Sequence, residues 1–170
     1  MSSVELINWN QFIEVHAASV FRVAVRLLGS AQDAEDVSQE VFVEAMRLHR
    51  QGENIQNWTA LLVKMATLRS IDRLRQRRPS MELKEADLVT AVEPIDVVAS
   101  MELSNWLRSA VAQLPDQQAT IFVMTHFEHL SRDEIANLLK VTPAAVSTAL
   151  HKARQQLSRD LTVYYQGELP

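Results

Sequence analysis

Residues 130–157 read LSRDEIANLLKVTPAAVSTALHKARQQL, and the fold turns on this stretch. Ser131 followed three residues later by Glu134 is an S-x-x-E capping box set just ahead of the apolar positions Ile135, Leu138 and Leu139, so a helix begins near Arg132. Lys140-Val141-Thr142 interrupts the period. Thr142-Pro143 then supplies a second N-cap with proline at the first helical position, where its missing N–H does no harm. Along the second helix Val146, Ala149, Leu150, Ala153 and Leu157 make one apolar stripe at the helical period. The spacing predicts a helix-turn-helix. The opposite face carries Ala144, Ala145, Ser147, Thr148, His151, Lys152, Arg154 and Gln155: small residues first, donors and cations after them. A recognition helix meets base edges with its first turns, so small side chains there permit close approach while later cations reach phosphates. An ordinary helical hairpin is the competing reading. Lys140 weighs on its side, because it occupies a turn position usually taken by glycine, and left-handed backbone costs a residue with a Cβ about 1 kcal/mol.

The whole chain has 170 residues, room for one ordinary domain or two small ones. With 47% hydrophobic residues, three glycines and five prolines it reads as globular and all-α, since strand-rich folds of this size use more turn residues. The absence of cysteine removes disulfides, thiolate metal sites and thiol nucleophiles together. No stretch approaches the roughly twenty apolar residues that span a bilayer, and no signal-peptide pattern opens the chain, so a cytoplasmic location is expected. A net charge of −4 would argue against nucleic acid if it were spread evenly. It is segregated instead. Residues 61–80 hold Lys64, Arg69, Arg73, Arg75, Arg77 and Arg78 against the single acid Asp72, whereas residues 81–130 hold eight acids against Lys84 and Arg108.

Upstream of the quoted stretch, residues 4–28 repeat apolar positions every three or four residues up to Gly29, a helix stop. Ser30 opens a second helix with Val37, Val41, Phe42 and Met46 on its buried side and Asp33, Glu35, Asp36 and Glu40 on an acidic face. Asn57 caps a third, in which Trp58, Leu61, Leu62, Met65, Leu68, Ile71 and Leu74 hold the period. On that helix Arg69, Asp72, Arg73 and Gln76 share one face, and Arg75, Arg77 and Arg78 crowd its end. One or two cations would merely complement the helix dipole; five arginines in ten residues point to a polyanion. Periodicity lapses from Pro79 to about Asp96, a linker with acidic character, and resumes at Val97; Asp116 opens a further helix and Ser158–Pro170 reads as a fraying tail.

DAEDVSQEVFVEAM (33–46), LLVKMATLRSIDRLRQRRP (61–79) and the run from Leu114 to Leu157, in this order and spacing, resemble a bacterial sigma factor of the sigma-70 family, in its short extracytoplasmic-function (ECF) group. The resemblance implies two small helical domains, residues 1–79 and 97–170, joined by a linker at 80–96, and a specificity subunit that directs core RNA polymerase to promoters. Carried over by position, Asp33, Glu35, Asp36, Gln39, Glu40 and Phe42 would dock on the polymerase core. Arg69, Ser70, Asp72, Arg73, Gln76 and Arg77 match the stretch that contacts the minus-ten element. Thr142, Ala144, Ala145, Ser147, Thr148, His151, Lys152 and Arg154 match the minus-thirty-five reader. An anti-sigma partner held between the two domains is also implied. The chain departs from the family pattern at Ala66-Thr67-Leu68, where many members carry Ala-Arg-Asn, at Lys140 in place of the turn glycine, and at Leu61, where a tryptophan is common and Trp58 one turn earlier can fill the space.

No enzyme chemistry or cofactor is expected. His126, Glu128 and His129 could nominally hold a metal, but no third ligand falls in a predictable place beside the histidine pair, and the chain has neither a glycine-rich phosphate loop nor a nucleophile beside a base. The alternative function is a two-domain helix-turn-helix regulator, or a sigma-like adaptor that binds another protein.

Overall fold

In a computed structural model, residues 7–77 and 94–167 are described, and all the regular structure among them is helical. The helices are α1 (Trp9–Leu28), α2 (Ala31–Arg50), α3 (Trp58–Gln76), α4 (Pro94–Gln113), α5 (Asp116–His126), α6 (Arg132–Leu139) and α7 (Pro143–Gln166). The all-α expectation holds.

Local chemistry sets most of the boundaries. Asn8, Ser30 and Asn57 each accept a backbone N–H through the side chain at the start of α1, α2 and α3. Gly29 ends α1 at φ 67°, a conformation open to glycine at little cost. At α6 the capping box forms in full: Glu134 N–H donates to Ser131 Oγ at 3.3 Å and Ser131 N–H donates to Glu134 Oε2 at 2.7 Å. Lys140 takes the left-handed turn conformation at φ 54°, and Thr142 caps α7 with Pro143 at its first helical position.

Two boundaries differ from the sequence reading. Helix α4 starts at Pro94, three residues ahead of the predicted Val97, so the described helix takes in the end of the expected linker; residues 80–93 lie outside the described residues. The C-terminal segment is no fraying tail, because α7 runs unbroken to Gln166, with Tyr164 stacked at 5.7 Å on Trp106 of α4.

Helix α1 lies against both α2 and α3, burying Val20, Val23, Ala24 and Leu27 against Val37, Val41, Leu62, Val63 and Ile71. The second group, α4 to α7, closes over Val111, Leu114, Ile121, Met124, Ile135, Val146, Ala153 and Leu157. Burial of each Val, Leu, Ile or Met among them contributes about 1.5–3 kcal/mol, so these stripes outweigh any surface pair in fixing the fold. The two groups meet along α3, which touches α4, α5 and α6.

Candidate nucleic-acid and polymerase interfaces

Helix α7 presents its predicted reading face to solvent. Thr142, Ala144, Ser147, Thr148, His151, Lys152 and Arg154 are exposed and Ala145 is half-buried, while Val146, Ala149, Ala153 and Leu157 are inside. Thr142 spends its hydroxyl on capping, accepting from Ala145 N–H at 3.1 Å, and Ser147 donates back to the Pro143 carbonyl at 3.1 Å. Thr148, His151 and Lys152 make no side-chain hydrogen bond among the described residues, which leaves their polar atoms for an outside partner. Arg154 is steered by the His126 ring, with Nη2 and Nε2 3.4 Å apart.

The basic face of α3 and the acidic face of α2, assigned to different partners from sequence, lie side by side. Arg69 pairs with Glu40 at 3.0 Å; Arg73 reaches Glu40 at 2.7 Å, Asp36 at 3.4 Å and Asp33 at 3.6 Å; Arg77 pairs with Asp33. Burial works against the Arg73 charge, but the hydrogen bonds and charges of Glu40 and Asp36 outweigh it and hold its pKa above the ordinary arginine value. Glu35, Gln39, Asp72 and Gln76 are exposed beside this ladder. Surface ion pairs of this kind contribute about 0.2–1 kcal/mol each, weak enough for a phosphate to displace a carboxylate.

Two of the predicted residues point the wrong way. Ser70 is 0% exposed, and its buried hydroxyl has no hydrogen-bond partner among the described residues. It follows Ala66 and Thr67 on the inner stripe of α3, one turn along, so it presents nothing to DNA. Phe42 is 7% exposed and packs edge-on to Phe12 at 6.4 Å, making it part of the α1–α2 core and no anchor for a partner. The apolar residue that α2 does present is its neighbour Val43, 66% exposed, which the sequence reading passed over. Arg78 lies outside the described residues.

Arginines also join the two helical groups. Arg75 donates to the Ala112 and Leu114 carbonyls at 2.8 and 2.9 Å and pairs with Asp116 at 2.9 Å. Arg108 donates to the Arg26 carbonyl at 2.9 Å, Arg26 to the Phe127 carbonyl at 2.7 Å, and Arg22 pairs with Glu128 at 2.8 Å. Four of these acceptors are backbone carbonyls in or beside helix ends, which lack partners of their own within the helices.

The Sigma-70 region 2 model matches residues 12–79 and the Sigma-70, region 4 model residues 104–157, so the two take in α1–α3 and most of α4–α7. The ECF RNA polymerase sigma factor SigW of Bacillus subtilis is 27% identical over 161 residues, 88% of this chain and 86% of its own. The ECF RNA polymerase sigma factor SigE of Mycolicibacterium smegmatis is 33% identical over 168 residues, 95% of this chain but 64% of the relative, so this chain spans under two thirds of that protein. Among solved structures, CnrH in complex with the cytosolic domain of CnrY superposes with a TM-score of 0.59 at 21% identity, covering 91% of this chain and 88% of that one. The sigma factor RpoE in complex with the anti-sigma factor NepR, from Bartonella quintana, gives 0.54 at 18% identity over 93% of this chain and 99% of that one. These two likenesses concern the fold. The chain belongs to the sigma-70 family and is an RNA polymerase sigma factor of the ECF type. The family regulates transcription, and among the described residues no helix is long and apolar enough to cross a membrane.

Proposed function

We propose that the chain acts in the cytoplasm as a specificity subunit without catalytic activity of its own, binding core polymerase through α2 and promoter DNA through α3 and α7. The observation that carries this reading is the polarity of α7: an unbroken buried stripe on one side and, on the other, exposed small residues followed by His151, Lys152 and Arg154. Residues 1–79 form the polymerase and minus-ten unit and residues 97–170 the minus-thirty-five unit, with the division in the stretch 80–96. Asp33, Glu35, Asp36, Gln39 and Glu40 supply charge complementarity to a basic surface of the polymerase, and Val43 supplies the apolar contact first given to Phe42. Arg69, Arg73, Arg77, Asp72 and Gln76 face the minus-ten element, where phosphates replace the carboxylates of α2 as partners of the arginines.

Gel-shift titration of the full chain on promoter fragments at several salt concentrations tests the division of labour. Ser147→Ala or Thr148→Val changes the upstream sequence that is preferred, whereas Arg73→Ala with Arg77→Ala weakens binding to all sequences and flattens the salt dependence. Equal effects from both sets contradict the assignment. Regulation by an anti-sigma protein is part of the same reading, supported by two solved relatives whose names describe complexes with CnrY and with the anti-sigma factor NepR.

A further inference from the structure

A cleft of about 460 Å³ opens between the end of α1, the middle of α4 and the turn that follows α5. Its apolar surface is given by Leu107 and Phe127, both half-buried, which lie over the fully buried Leu27 and Val111. Its rim carries Arg26 and Arg108 from opposite helical groups, with His126 and His129 beside them. No carboxylate lines it. Glu128, which sits in sequence between Phe127 and His129, is taken up by Arg22 and Ser19 at 2.8 and 3.0 Å.

The two arginines are held in place with donors to spare. Arg108 gives Nε to the Arg26 carbonyl and Nη1 to Asn105 Oδ1, at 2.9 and 2.8 Å, and lies flat over Gly29, where a Cβ would come within 2.9 Å of its Cζ. Arg26 gives Nη1 to the Phe127 carbonyl at 2.7 Å, its Cζ 5.7 Å from the centre of that ring. A guanidinium has five N–H donors, so each keeps several for another acceptor, and neither makes an ion pair among the described residues. Fixed cations of one sign around an apolar floor repel one another, a cost that a bound anion removes.

We propose that this cleft is a binding site for a small organic anion, an apolar ring or chain bearing one phosphate or carboxylate group, held between the two helical groups. Its volume lies in the range of small-ligand sites, and an apolar base with a few convergent polar groups is the usual composition of such sites. The apolar body rests on Leu107 and Phe127, above the fully buried Leu27 and Val111; the anionic head meets Arg26 and Arg108, with the His126 ring beside them. None of these residues belongs to the sets assigned above to polymerase or DNA. His126 sits beside Arg154, His129 and the Phe122 ring, and burial first, then the charges of Arg154 and His129, lower its pKa below 6.5. An anion in the cleft raises it again, so binding takes up protons and tightens as pH falls through the histidine range.

The test is calorimetric titration of the full chain with 1-naphthyl phosphate and 1-naphthoate, against inorganic phosphate and neutral 1-naphthalenemethanol. Saturable binding by either aromatic anion, at least tenfold tighter than by both controls, is the expected result, and comparing the two identifies the preferred head group. Arg26→Gln with His129→Asn, the asparagine chosen because it tolerates the φ of 53° at that position, weakens binding at least tenfold. In the unmodified chain, NMR signals of the Arg26 and Arg108 Nε–H groups and of the His126 ring shift on titration, which guards against a variant that fails to fold. Absence of saturable binding up to about 10 mM, an affinity too weak to matter, or equal binding by the variant, overturns the proposal.

Discussion

The Arg75 guanidinium of α3 grips the turn between α4 and α5, with Nη2 donating to the Leu114 carbonyl at 2.9 Å. Nε reaches the Ala112 carbonyl and Nη1 the Asp116 carboxylate, so one side chain ties the first helical group to the second at three points. The tie has a geometric consequence. A compact chain of 170 residues has a radius of gyration of about 15 Å, whereas elements named minus ten and minus thirty-five lie about 85 Å apart along straight duplex at 3.4 Å per base pair. On the proposed assignment, the two helical groups have to part before α3 and α7 can occupy both elements. Arg75→Ala removes charge-assisted hydrogen bonds at a half-exposed site, lowers the free energy of separation by about 1–2 kcal/mol, and enlarges the radius of gyration seen by small-angle scattering. An unchanged scattering profile with unchanged thermal stability would show that Arg75 is not a tie.

The pairing of Glu40 with Arg69 and Arg73 leads to a prediction of opposite sign to simple charge loss. Glu40→Gln frees Arg69 and loosens Arg73, which keeps Asp36 and Asp33, so affinity for promoter fragments rises in the free chain, and the slope of log affinity against log salt steepens by about 0.9 for each phosphate gained. The same variant binds core polymerase more weakly. Loss of DNA affinity would mean that the ladder only orders α3.

At the turn between α6 and α7, Lys140→Gly replaces a Cβ-bearing residue at φ 54° by the one that adopts this backbone freely. Relief of strain, less the greater entropy of glycine in the unfolded chain, leaves a net stabilisation of about 0.5–1 kcal/mol in thermal unfolding. Gly29→Ala acts in the other direction: it strains φ 67° and pushes a methyl against Arg108, so it lowers stability and loosens the contact with α4 together.

The capping box carries a pH dependence whose sign is fixed. Hydrogen bonding to Ser131, side chain first and backbone second, lowers the Glu134 pKa below its ordinary 4.5. A carboxylate with a depressed pKa in the folded state stabilises it at pH above the unfolded value, and that contribution disappears as pH falls through the folded value. Helicity of α6 therefore declines below about pH 4.5, and in Glu134→Gln this step is missing from a circular-dichroism titration.

Side-chain patterns carry the helix ends and turns of this chain and not the contacts made to backbone. Ser131, Glu134, Lys140, Thr142 and Pro143 declare the helix-turn-helix because caps and turns depend on residue type. Ser70 enters the minus-ten set only by position within the resembling stretch, while its place one turn after Ala66 and Thr67 puts it inside. Phe42 lies on the buried stripe by period and among the docking residues by resemblance, and the structure puts it in the core. The extension of α7 was legible in Leu157, Leu161 and Tyr164, which continue the stripe past the predicted end. The contacts of Arg75, Arg108 and Arg26 were not legible, because their acceptors are mainly backbone carbonyls that carry no residue identity.

Run-off transcription by core RNA polymerase on a promoter library, with and without the purified full chain, measures whether the chain directs promoter choice. Start sites that appear only when the chain is present, with upstream elements that change in Ser147→Ala or Thr148→Val and vanish in Asp36→Asn with Val43→Asp, are the predicted result. A well-folded chain that co-elutes with core yet yields no new start site, or that selects DNA sequences without binding core at all, would contradict it.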